Sequence, residues 1–215
     1  MKTLLLTASL ITGLSFSAIA GPKQEDGKKS KATAKVEPTL KVGDAAPDFK
    51  ITDSTGKEID LAELSKDGPV LVRLTCGCLG CDMELPYFQA LHEAYKDQGL
   101  TSLAVFAEKD EKFAEYAKTN KLDMRYALDP KKDSWKVFGT KTMPSNFLIE
   151  KGGKVAAISK GCNPEGLKVL AMAGEAAKVV GTEEVDLTKN VTPRPKKAKK
   201  EKAKKTATKA PAPKG

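Results

Sequence analysis

Residues 69–86 read Pro69-Val70-Leu71-Val72-Arg73-Leu74-Thr75-Cys76-Gly77-Cys78-Leu79-Gly80-Cys81-Asp82-Met83-Glu84-Leu85-Pro86. The first seven are nearly continuously apolar and bounded by Gly68 and Gly77, the pattern of a central strand buried on both faces. From Cys81 to Gln98, Leu85, Phe88, Leu91, Ala94 and Tyr95 recur at spacings of three and four until Gly99 stops them, which predicts a helix. Pro86 inside it predicts a kink. Cys78 and Cys81 therefore fall where a buried strand hands over to a helix.

Working outward, Asp48–Asp53 and Glu58–Leu61 flank Ser54-Thr55-Gly56-Lys57, alternating segments around a glycine turn that read as a hairpin, with a short helix after it. Thr101–Ala107 reads as a second buried strand, Lys109–Asn120 as a helix, Arg125–Leu128 as a short strand and Ser134–Phe138 as a helical turn. Ser145–Glu150 and Lys154–Ser159 form a hairpin about Lys151-Gly152-Gly153. Asn163 is placed as the cap of a last helix running to about Val180, with Pro164 at its first position. Strands alternating with helices, and one late hairpin, make this an α/β fold with a mixed sheet.

The 215 residues carry a formal charge of +9, unevenly spread. Lys189–Gly215 holds 11 basic residues and one acid, whereas residues 42–188 hold 19 basic and 24 acidic groups. An acidic domain is a poor nucleic-acid reader, so no specific nucleic-acid partner is expected. Met1–Ala20, apolar after Lys2 and closing on Ala18-Ile19-Ala20, reads as a signal peptide cleaved before Gly21. Its apolar run is too short for a membrane span. Residues 21–40 are a flexible basic linker, 41–182 one folded domain and 183–215 a disordered Lys/Ala/Pro tail. The expected product is soluble and exported, most simply to a periplasm, where disulfides are chemically permitted. There the tail has anionic envelope components as its available electrostatic partners, or serves only as a solubilising appendage.

The chemistry concentrates in Cys78-Leu79-Gly80-Cys81. A thiol at a helix start faces unpaired N–H groups and the positive end of the helix dipole, which favour thiolate. That makes Cys78 a nucleophile. Cys81, three positions on and on the same helix face, is placed to close a small disulfide or to resolve a mixed one. The alternative is a static disulfide, but so short a loop restricts the unfolded chain little.

The run from Cys78 to Pro86 resembles the W-C-x-x-C-x-x-E-x-P signature of TlpA/ResA-like thiol-disulfide oxidoreductases, in the redoxin (AhpC/TSA) branch of the thioredoxin-like superfamily. Ala46-Pro47-Asp48-Phe49, the hairpin around Gly56-Lys57, and Met143-Pro144-Ser145-Asn146-Phe147-Leu148-Ile149 before Gly152-Gly153-Lys154 extend the resemblance over residues 42–180. It implies a thioredoxin-like mixed sheet flanked by helices, with an N-terminal β-hairpin extension. It also implies disulfide-bearing or dithiol protein substrates, an electron donor or acceptor, and no bound cofactor or metal. Pro144 would be cis and, with Met143, would offer a backbone edge to a substrate strand. Without the resemblance, Met143-Pro144 reads as an ordinary strand-entry proline. Glu84 would assist proton transfer around the buried cysteine; otherwise it is a helix-favouring acid.

Several positions depart from that signature. Gly77 stands where the resembled proteins have Trp, and Leu79-Gly80 replaces a dipeptide that often contains Pro. Cys76 is an additional thiol one strand step before Cys78, either a competitor for its disulfide or an inert buried cysteine. Cys162 would lie on the loop flanking the site, as a third redox partner or a packed thiol. A peroxiredoxin reading takes Thr75-Cys76-Gly77-Cys78 as a T-x-x-C motif with Cys78 as the peroxide-reducing thiolate. It lacks the proline expected at position 71, which is Leu, and an arginine near Pro144. A metal reading takes Cys76, Cys78 and Cys81 as soft donors for Cu(I). His92, eleven residues beyond Cys81, is not expected to join them.

Overall fold

The computed structural model describes residues 39–109, 113–163 and 165–191. Met1–Ala20, read as a signal peptide, almost all of the expected linker and the residues beyond Val191 lie outside the described residues, as do residues 110–112 and Pro164.

A two-stranded antiparallel hairpin, β1 (Lys50–Thr52) with β2 (Glu58–Asp60), precedes the main sheet. Helix α1 (Leu61–Asp67) follows at once, because the Asp60 side chain accepts the N–H groups of Ala62 and Glu63 and so caps it. The central strand β3 (Val70–Thr75) is buried along its whole length. Helix α2 (Leu79–Tyr95) comes next, then a 3-10 turn at Lys96–Gln98. After β4 (Thr101–Phe106) come α3 (Phe113–Thr119), β5 (Arg125–Leu128), α4 (Asp133–Val137), β6 (Ser145–Ile149) and β7 (Val155–Lys160).

The main sheet has the order β5-β4-β3-β6-β7, with β3 parallel to β4 and antiparallel to β6. Alternation along β3 feeds both faces. Leu71 packs in a cluster with Phe88, Leu91 and Tyr95 of α2, while Val70, Val72 and Leu74 pack with Phe49, Ile59, Trp135, Phe138 and Phe147. Burial on both faces is why β3 reads as a run without polar alternation. Its one charged residue, Arg73, is also buried. The α/β class, mixed sheet and N-terminal hairpin are as the sequence implied.

Three expectations need correction. Helix α2 begins at Leu79, two residues before the predicted start, and Pro86 lies inside one continuous helix of 17 residues. The single final helix is two pieces, α5 (Leu167–Leu170) and α6 (Ala173–Val180). The late start follows from Gly166, the residue before α5, which has φ +70° and where a Cβ would lie 2.2 Å from the Tyr87 ring, so the chain enters α5 where only glycine fits. Asn163 is not the N-cap, a place taken by Gly166, though its Oδ1 accepts the Leu167 N–H at 3.0 Å. Finally, residues 183–191 are ordered against the domain. The Tyr95 hydroxyl accepts the Val185 N–H at 2.9 Å, and Leu187 is buried in the cluster on α2. Packing against the domain therefore continues as far as Val191 among the described residues. A count of charge and apolar residues misses a segment held by one leucine and one hydrogen bond.

Candidate active site

Strand β3 ends at Thr75, and the next six residues carry three thiols. Cys78 caps α2 with extended backbone (φ −80°, ψ 155°) and makes no side-chain capping bond, so its sulfur projects at the helix start. Cys78 is exposed, Cys76 half-buried and Cys81 buried. The Cys76 thiol points to the Cys78 sulfur at 2.7 Å and lies 3.4 Å from that of Cys81. All three sulfurs lie within 4.8 Å of one another. As donors they suit a soft ion such as Cu(I).

Opposed influences act on these thiols. Partial burial works against a Cys78 thiolate, but hydrogen bonds from the Cys76 thiol, from the Cys81 N–H and thiol, and from the Gly80 N–H outweigh it. Its pKa falls below the ordinary thiol value. Cys76 moves the other way: burial, then its hydrogen bonds and charge interaction with the neighbouring thiols, hold it protonated. Of the two, Cys76 is the donor and Cys78 the acceptor. Cys76 is thus not remote; its sulfur faces that of Cys78.

Beneath Cys81 lies a charged group that sequence reading passed over. Arg73, 1% exposed, donates to Glu84 Oε2 at 3.0 Å, to Asn146 Oδ1 at 2.9 Å and to the Cys81 carbonyl at 3.3 Å. Its guanidinium also lies over the Phe88 ring, 5.2 Å from the centroid. Glu84 is 0% exposed and its Oε1 has no partner among the described residues. Arg73 and Asn146 sit directly across the β3/β6 register from each other. The signal for them was a lone charge in an apolar strand, which a fold tolerates only with a buried counter-charge.

Met143 and Pro144 are joined by a cis peptide bond. Leu74 pairs with Ser145 at the end of the antiparallel register, and Met143-Pro144 immediately precede Ser145 on the chain entering β6. The Pro144 carbonyl accepts the Gly161 N–H at 2.8 Å. The next residue, Cys162, is exposed and its Sγ donates to the Gly80 carbonyl at 2.9 Å. Its pKa is raised, by burial first and then by the charges of Glu84, Cys81 and Cys78. At Gly77 the N–H donates to Glu108 at 3.0 Å. The Thr75 hydroxyl turns to the Cys76 carbonyl at 3.4 Å. His92, in the middle of α2, has its Nε2 4.0 Å from Asp123 and takes no part in the thiol group.

Residues 42–158 match the AhpC/TSA family, and the chain belongs to it. The thiol-disulfide oxidoreductase ResA of Bacillus thuringiensis subsp. konkukian is 33% identical over 126 residues, covering 58% of this chain and 73% of that protein. Among solved structures, the protein from Chlorobium tepidum assigned as the thiol:disulfide interchange protein DsbE superposes with a TM-score of 0.60 at 26% identity. The match covers 66% of this chain and all of that one. The thioredoxin domain of a thiol-disulfide oxidoreductase from Bacteroides vulgatus gives a TM-score of 0.53 at 25% identity, covering 62% of this chain and 99% of that one. Fold, thiol cluster and relatives agree on a thioredoxin-like oxidoreductase acting on thiols and disulfides.

Proposed function

We propose that this chain is an exported enzyme that exchanges disulfides with protein substrates through Cys78 and Cys81. The Cys78 thiolate attacks a substrate disulfide, forming a mixed disulfide and releasing one substrate thiolate. Cys81 then attacks the Cys78 sulfur, closing a Cys78–Cys81 disulfide and releasing the second. The observation that carries this reading is an exposed sulfur at a helix start whose neighbours all stabilise its anion. Glu84 and Arg73 hold the base of the site, with Arg73 fixing the Cys81 carbonyl. The backbone of Met143, just ahead of the last β3/β6 pair at Ser145, is the edge on which a substrate segment would pair. Export rests on the leader at Met1–Ala20, and no described helix is long and apolar enough to cross a membrane. Trapping with Cys81→Ser tests the reading: exported proteins should accumulate as mixed disulfides on Cys78. No adducts at Cys78 would overturn it.

A second reading has one observation in its favour, the three sulfurs within 4.8 Å of one another. It makes Cys76, Cys78 and Cys81 a Cu(I) site. It requires one equivalent of Cu(I) taken up by the reduced protein and lost in Cys76→Ser.

A further inference from the structure

Cys76 forms no covalent bond in the two-thiol cycle, yet its sulfur reaches both members of the pair, 2.7 Å from Cys78 and 3.4 Å from Cys81. It leaves the sheet at the end of β3, whereas Cys81 sits in the first turn of α2. The Cys76 thiol is directed at the Cys78 sulfur.

Given the exchange role proposed for Cys78 and Cys81, we propose that Cys76 moves the disulfide off the nucleophile, giving a Cys76–Cys81 form with Cys78 free and a disulfide isomerase activity on misbridged proteins. In the balanced step, the Cys76 sulfur attacks Cys81 of the Cys78–Cys81 disulfide. A Cys76–Cys81 bond forms as the Cys78–Cys81 bond breaks. Cys76 gives up its proton to water before the attack, and Cys78 leaves with the electron pair as a thiolate. No electrons are gained or lost overall, so no further oxidant or reductant is needed.

The consequence follows from which sulfur remains. In a two-thiol enzyme the oxidised form has no nucleophile and must wait for an electron donor. With the bridge at 76–81, exposed Cys78 remains able to attack a second substrate disulfide. Both resolving thiols are then occupied, so the mixed disulfide is released by a thiol of the substrate itself. The substrate leaves with its bridges rearranged and its oxidation state unchanged.

The test is a disulfide map of the full chain. Reduced protein is treated with one equivalent of glutathione disulfide, quenched in acid, alkylated with iodoacetamide and mapped by mass spectrometry. A share of the one-bridge protein should join Cys76 to Cys81 with Cys78 alkylated. Reactivation of scrambled ribonuclease should fall about tenfold more in Cys76→Ser than insulin reduction does. A map containing only Cys78–Cys81 or only Cys76–Cys78, in protein that still reduces insulin, overturns the proposal. Insulin reduction surviving in Cys78→Ser would overturn the exchange reading itself. Should Cys76→Ser fail to fold, the wild-type map decides alone.

Discussion

Arg73 and Glu84, eleven residues apart in sequence, form an ion pair of 3.0 Å with both side chains out of solvent, directly under the Cys81 backbone. The central strand supplies the cation and the second turn of α2 supplies the anion, so the pair ties the strand to the helix that carries the thiols.

Breaking this pair from one side leaves a buried charge. Arg73→Met should therefore cost roughly 3–5 kcal/mol in urea unfolding. Restoring balance with Glu84→Leu in the same chain should recover a large part of that loss. Equal, additive losses in the two single variants and the double variant would show that the two side chains do not depend on each other.

The segment after α6 has its own signature. Ending the chain at Asp186 removes Leu187 from the cluster against α2 and should lower stability by about 2 kcal/mol. Ending it after Val191 removes the basic tail alone and should leave the melting temperature unchanged. The comparison separates packing from charge. Identical melting of both truncations would mean that Leu187 contributes nothing.

His92 is buried, with no partner at Nδ1 among the described residues, and burial lowers its pKa. Protonation is then easier in the unfolded chain, whose imidazole titrates near ~6.5. The sign follows: stability contributed by His92 is complete above that pH and is lost as pH falls through the lowered folded value. Unfolding free energies at pH 7 and pH 5 should differ less in His92→Gln than in the wild type. An unchanged difference would remove His92 from the acid sensitivity.

Much of this architecture was legible because burial writes itself into composition. An uninterrupted apolar β3, flanked by glycines, and the three-four spacing of Leu85, Phe88 and Leu91 require only local pattern. The Cys78–Cys81 spacing at a strand-to-helix handover likewise located the thiols. What stayed hidden depends on contacts distant in sequence. Asn146 is 73 residues from Arg73, and nothing in either neighbourhood names the other. Cys76 has the same limit: only the turn at Gly77 decides whether its sulfur faces Cys78 or the core. The split between α5 and α6 falls at Ala171-Met172, where neither residue is a helix breaker, so local pattern does not announce it.

The central claim is that the Cys78 thiol ionises below the ordinary range because Cys76, Cys81 and the start of α2 donate to it. The direct measurement is the pH dependence of alkylation at Cys78 in reduced protein, followed residue by residue by mass spectrometry. The rate should reach half its plateau below pH ~8.5, the midpoint of a free cysteine, and that midpoint should rise in Cys76→Ala. A Cys78 midpoint at or above that of an unstructured cysteine peptide, unmoved by Cys76→Ala, would contradict the account.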